Sequence, residues 1–170
     1  MARRISLREF QQNLVHRLGE AAVSTEAPSA RLGVEVGAEK WLMRLEEAGE
    51  VMPVPPIAPV PLMRSWYRGL TNIRGNLYSV VDFAAFQGGM DTAITPESRL
   101  ILVADRFSMG AALLVGRMLG LRNISALERQ EDTPQHAWVS GCYRDGDGEF
   151  WRELGMSELL FDSDFLQAGV

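Results

Sequence analysis

A single cysteine, Cys142, excludes an internal disulfide, and the two histidines, His16 and His136, stand far apart, so the close ligand spacings of a zinc site are missing. Cys142 lies between Gly141 and Tyr143 in an apolar run with no neighbouring histidine or lysine to lower its pKa, so a buried, inert thiol is expected. No run of about 18 apolar residues occurs, and Arg3-Arg4 leads into polar sequence. Neither membrane insertion nor a signal peptide is therefore expected, and the cytoplasm is the default location. Positive charge is in deficit: 17 Lys and Arg against 22 Asp and Glu leave a net charge of -5, which argues against a nucleic-acid binder.

Enzyme chemistry is equally thin. Gly110, Gly116 and Gly120 form no phosphate-binding fingerprint, because the strand-to-helix context and the Lys-Ser/Thr ending are missing. Asp145-Gly146-Asp147-Gly148-Glu149 resembles a calcium loop only superficially, since Met156 stands where the terminal glutamate would be needed. Turn chemistry explains it more simply. No catalytic residue, metal site or cofactor is expected.

What is present is an ordinary globular composition, 46% hydrophobic and 23% charged over 170 residues, enough for one domain or two small subdomains sharing a core. Residues 1–30 read as an N-terminal extension. Ser6-Leu7-Arg8-Glu9 has the form of a capping box, and Leu7, Phe10, Leu14, Val15 and Leu18 fall on one helical face before Gly19. Glu20 to Ala30 then reads as a linker. The body occupies residues 31–170. Leu32, Val34 and Val36 alternate into a Gly37-Ala38-Glu39-Lys40 turn, and Trp41, Met43 and Leu45 share a face of the return strand. Five prolines between Val51 and Pro61 make that stretch edge-like or a connection. A helical turn is expected over Leu62 to Tyr67, and a brief helix after Asp82, capped by that residue and stopped at Gly88-Gly89. Leu100 to Ala104 reads as a buried strand, returning through Asp105 to Ser108 into Met109 to Val115. Ala137 to Tyr143 and Glu149 to Trp151 flank a hairpin turn at Asp145 to Gly148, and a helical turn is expected at Met156 to Phe161. Trp41 and Trp138 are expected in the core. Many short strands with Gly and Pro turns point to small closed or nearly closed barrels, with no internal repeat visible.

The most informative stretch is Gly69 to Phe83, which reads as two strands joined by a tight turn at Gly75-Asn76, with Arg74 at its rim. Leu70 and Asn72 alternate on the first strand; Leu77, Ser79 and Val81 share one face of the second, with Tyr78 and Val80 on the other. The pattern G-x-x-N-[LI]-R-G-x-[LI]-x-x-[VI]-[VI]-D, running from Gly69 to Asp82, resembles the hallmark strand pair of the CheW-like chemotaxis coupling proteins. Leu45 to Pro55 and Pro61 to Gly69 are similar to the elements preceding it in that family, and the likeness covers about residues 31–161. Trp66, Arg68-Gly69, Asn72 to Gly75 and Asp82-Phe83 look most similar to the PilI-like branch serving type IV pilus twitching motility. Gly116 departs from the pattern, standing where the family commonly places an acid.

The resemblance implies a mainly β fold of two small SH3-like β-barrel subdomains sharing a core, with an N-terminal amphipathic helix and a few short helices. It implies a non-catalytic adaptor whose partners are the regulatory domain of a CheA-like histidine kinase and the cytoplasmic tip of a methyl-accepting chemoreceptor. The expected protein-binding residues are Glu50, Val51, Gly69, Leu70, Asn72, Arg74 and Gly75. Glu50 and Arg74 are contact charges in the family pattern, or else a rim ion pair with each other; Gly69 releases backbone strain, or else admits a partner close to the strand. The alternative is a small β-barrel ligand-binding domain or enzyme whose site, assembled from residues distant in sequence, would be a deep pocket with perturbed titratable groups.

Overall fold

The computed structural model describes residues 29–170. The amphipathic helix expected at residues 7–18 lies outside them. Eleven strands follow one another: β1 (Ala30–Val36), β2 (Glu39–Arg44), β3 (Ala48–Pro53), β4 (Tyr67–Ile73), β5 (Asn76–Asp82), β6 (Arg99–Val103), β7 (Ala111–Val115), β8 (Arg117–Asn123), β9 (Glu128–Gln130), β10 (Val139–Arg144) and β11 (Phe150–Leu154). They form a six-stranded sheet in the order β8-β1-β2-β11-β10-β9 and a five-stranded sheet in the order β3-β6-β7-β5-β4. Neighbours are antiparallel except β2 with β11 and β5 with β7, so both sheets are mixed. The chain leaves the first sheet after β2, completes the second with β3 to β7, and returns at Gly116.

The continuous apolar runs have a simple cause: both faces of the central strands are buried. In the second sheet Leu100, Leu102, Ala112, Leu114, Val80 and Ile73 face one small core with Val54, Ile57 and Tyr78. Their sequence neighbours Ile101, Val103, Leu113, Val115 and Val81 point the other way, into a larger core shared by both sheets. The first sheet does the same, with Leu42, Tyr143 and Trp151 under Ile124 and Leu127, and Trp41, Met43 and Cys142 in the shared core. In each sheet a connection between the two edge strands covers the inner face. Val54 to Ala58 leaves β3 and bridges β4 at Leu70, and Ile124 to Leu127 links β8 to β9. The two-barrel arrangement sharing one core follows from this closure.

Two further devices join the sheets. Phe83, in the short helix Phe83–Phe86, meets Trp41 at 5.1 Å edge-on and Trp138 at 5.6 Å, so an element of the second sheet plugs into aromatic residues of the first. Asp82, fully buried, caps that helix by accepting from the Ala85 N–H at 3.3 Å. It also accepts from the Thr92 N–H and hydroxyl, both at 2.7 Å, and from Arg68 at 3.0 Å, pinning the following loop. At the crossing between sheets, the buried Glu47 carboxylate accepts from the Met156 N–H at 3.3 Å and lies 3.6 Å from both Arg44 and Arg106. Burial pushes the Glu47 carboxyl above the usual carboxylate range despite those cations.

Several expectations need correcting. Glu39 and Lys40 pair with Glu35 and Val36 inside the ladder, so the first turn is only Gly37-Ala38. Leu45 lies past the end of β2 and is 38% exposed, because the chain has already turned toward the second sheet. Leu62 to Trp66 forms turns and a bridge between Met63 and Gly169 instead of a helical turn. Strands β8 and β9 and the short helix Ser163–Leu166 were not expected.

Candidate functional site

The β4–β5 hairpin closes through a two-residue loop, and the register places it one position earlier than the sequence suggests. Ile73 pairs with Asn76, so the loop is Arg74-Gly75 and Asn76 opens β5. Arg74 and Gly75 have φ of 52° and 88°, the paired positive values that match the twist of a tight hairpin. The Asn72 side-chain oxygen accepts from the Gly75 N–H at 2.9 Å and locks the loop. Left-handed backbone at a non-glycine residue costs about 1–2 kcal/mol. Arg74 occupies it and thereby carries its guanidinium at the hairpin tip.

That guanidinium grips Glu50 in a fork, Nη1 to Oε2 at 2.8 Å and Nη2 to Oε1 at 2.7 Å. The two residues come from opposite edges of the sheet, β3 and the β4–β5 tip, so the pair spans the seam of the closed barrel. Side-chain exposure of 74% for Arg74 and 39% for Glu50 limits its contribution to about 0–1 kcal/mol. What the fork fixes firmly is orientation: a charged pair held in one geometry on an open surface. Within the hairpin Leu77, 62% exposed, faces Asn72 across the ladder, and half-buried Leu70 faces Ser79. Val51 follows Glu50 on the edge strand, half-buried against the shared core.

Gly69 plays a different part. With φ of 131° it abuts the Val54 to Ala58 crossover, and a Cβ there would stand 2.1 Å from the Ala58 carbonyl oxygen. Ala58 and Leu70 exchange hydrogen bonds of 2.8 and 2.9 Å across this contact. The close approach that a glycine permits is therefore made by the chain's own backbone. Of the seven residues expected at the site, Glu50 with Arg74 and Asn72 with Gly75 are joined by direct bonds; Leu70 lies on the outer side, Gly69 and Val51 inward. Leu77 is the addition. It shares a face with Ser79 and Val81, of which only Val81 reaches the shared core.

A concavity of about 1030 Å³ lies between the first sheet and the 84–97 stretch, with Trp41, Trp138 and Cys142 among its lining and Glu35, Glu39 and Asp132 at its charged parts. Arg117 pairs with Glu35 at 2.9 Å and Arg152 with Glu39. Burial pushes the Cys142 thiol upward, the opposite of what a nucleophilic thiolate needs. His136 lies in an exposed loop, its ring stacked on Trp138 at 4.6 Å. Asp145 is a turn residue, accepting from the Asp147 and Glu149 N–H groups and from the Trp151 indole; that indole bond leads in holding its carboxyl below the usual range. Among the described residues no group of three or more His, Cys, Asp or Glu could hold a metal ion, and no buried side-chain polar atom lacks a partner. No described helix is long and apolar enough to cross a membrane.

Protein PilI of Pseudomonas aeruginosa is 27% identical over 105 residues, a match covering 61% of this chain and 57% of that relative, so little more than half of the relative's length is spanned. The crystal structure of scaffolding protein TtCheW from Thermoanaerobacter tengcongensis superposes with a TM-score of 0.68 over 82% of this chain and 96% of that one, at 19% identity, and shows a shared fold. The CheW-like domain profile matches residues 31–163, running through both sheets and the hairpin, and the chain belongs to that family.

Proposed function

We propose that this chain is a non-catalytic signalling adaptor that couples a chemoreceptor's cytoplasmic tip to a CheA-like histidine kinase, in a chemotaxis-like pathway controlling type IV pilus twitching motility. The observation that carries the reading is the exposed Arg74–Glu50 fork at the hairpin tip: a charged pair held in one geometry on an open surface that adds little to stability. Likeness to PilI and the Gly69 to Asp82 motif support the pilus branch. Residues 31–170 act as one unit in the cytoplasm. The kinase's regulatory domain docks on one barrel and a helical receptor hairpin on another surface, which raises the effective concentration of each near the other and passes on small changes in receptor conformation.

Size-exclusion chromatography with light scattering tests the kinase half. The full chain is mixed with the regulatory domain of a CheA-like kinase from the same genome. A stable mixed complex that Arg74→Glu weakens while circular dichroism stays unchanged supports the adaptor reading. No complex over a wide concentration range with a folded partner refutes it.

A further inference from the structure

We propose that the N-terminal segment of this chain, residues 3–18, docks in the groove between the first sheet and the 84–97 stretch that follows β5. The groove's charge is lopsided. Carboxylates of Glu35, Glu39, Asp91, Glu97 and Asp132 line it, against the guanidinium groups of Arg117 and Arg152. Both of those cations are already engaged, Arg117 by Glu35 and Arg152 by Glu39. Glu97 and Asp132 are exposed and make no ion pair among the described residues, while Asp91 lies 3.9 Å from Arg68 at the limit of such a contact. Beside these acids, Met90 is 89% exposed at the groove and presents apolar surface with nothing over it among the described residues. The occupant this asks for carries cations alongside an apolar face.

Residues 3–18 have that chemistry. Arg3, Arg4, Arg8 and Arg17 are set against one acid, Glu9, and Leu7, Phe10, Leu14 and Leu18 recur at helical spacing. The tether reaches. From Ala30 the strand β1 runs about 17 Å to Glu35 at the groove, taking ~3.3 Å per residue. Residues 19–29 number 11 and span up to about 36 Å when extended. Intramolecular docking needs only modest intrinsic affinity, because the tether keeps the segment at high effective concentration.

Electron–electron distance measurement on the full chain decides the matter. Nitroxide labels go on Gln12→Cys, opposite the apolar stripe, and on Gln135→Cys at the groove, in a Cys142→Ala background. A narrow distance distribution is expected, unchanged when labelled protein is diluted into unlabelled protein. It should broaden in the Glu97→Lys, Asp132→Lys double variant, whose two exposed positions leave the fold intact by circular dichroism, and should loosen in 1 M salt, where screening acts within ~3 Å. A broad distribution in the parent overturns the proposal. So does a narrow one that dilution abolishes, which would put the segment on a neighbouring copy, or one indifferent to the charge reversals.

Discussion

An alanine at position 69 would drive its methyl carbon to 2.1 Å from the Ala58 carbonyl oxygen and 2.7 Å from the carbonyl carbon, both backbone atoms that no side-chain rotation can move aside. The backbone at φ 131° is also one that only glycine adopts freely, and holding another residue there costs about 1–3 kcal/mol. Relief requires the crossover to lift away, breaking the pair of hydrogen bonds between Ala58 and Leu70 at about 0.5–1.5 kcal/mol each. Together these make Gly69→Ala destabilising by about 4 kcal/mol. At about 2–4 °C per kcal/mol for a domain of this size, the melting midpoint should fall by roughly 8–16 °C. Differential scanning calorimetry reads the shift, and a urea titration run alongside checks that the unfolding slope is unchanged. Gly75→Ala is the control: φ is 88°, but a Cβ there meets nothing within 4 Å, so only the left-handed penalty of about 1 kcal/mol applies. Equal shifts for the two variants would refute the argument that Gly69 serves close packing. A large shift also means that lost partner binding in any Gly69 variant reports on the fold and not on an interface.

Arg74→Glu should change unfolding free energy by less than about 1 kcal/mol, since the pair is exposed, yet weaken partner association; the reciprocal swap with Glu50→Arg should recover part of it in the same chromatographic assay. Asp82→Ala strips four accepted hydrogen bonds from a buried site and should cost about 3–5 kcal/mol in urea denaturation, with early exchange at the Thr92 amide, whereas exposed Asp91→Ala should stay within about 0.5 kcal/mol. Glu47 titrates above its unfolded value, so the folded protein holds that proton more tightly. Its proton-linked stabilisation is complete below about pH 4.3 and is lost as pH rises through the raised folded value. Wild type should therefore gain stability relative to Glu47→Gln as pH falls from 7 toward 4.5, as roughly placed by that ordinary carboxylate range; a flat or reversed difference in urea midpoints would rule this out.

The residues that sequence made legible are those whose environment is local or periodic. The Leu32 to Val36 strand, the Leu100 run, the Asp82 cap and the Asp145 turn each carry their signal within a few neighbours, and the prolines after Val51 correctly mark an edge. Strand β8 carries little: Arg117, Gly120, Leu121, Arg122 and Asn123 are exposed, only Met118 and Leu119 pack against the cores, and pairing with β1 holds the strand. The hairpin loop slipped by one because Gly-Asn is a reasonable turn pair, whereas Arg74 in a left-handed conformation is held by Asn72 to Gly75 bonding and by a glutamate on another strand. Gly69 was recognisable as special, but its partner at Ala58 is set by tertiary closure and leaves no spacing to read. The shared fold was legible through the motif; the groove, assembled from Glu35, Glu97 and Asp132 of three separate stretches, was not.

The interleaved path of the chain sets an order of assembly during synthesis. Every strand of the second sheet lies in one stretch, from Ala48 to Val115, so its partners are all present once that stretch has left the ribosome. The first sheet must wait, because β2 has its parallel partner only when Trp151 to Leu154 has been made. At ~5–20 residues per second that delay lasts seconds, longer than the closure of a small barrel requires. Pulse-labelled hydrogen exchange on stalled nascent chains should find the amides of β6 and β7 protected while Trp41 and Leu42 still exchange freely. Until β11 arrives, the aromatic face around Trp41 is the nascent protein's open flank, and it is there that a chaperone would find its hold.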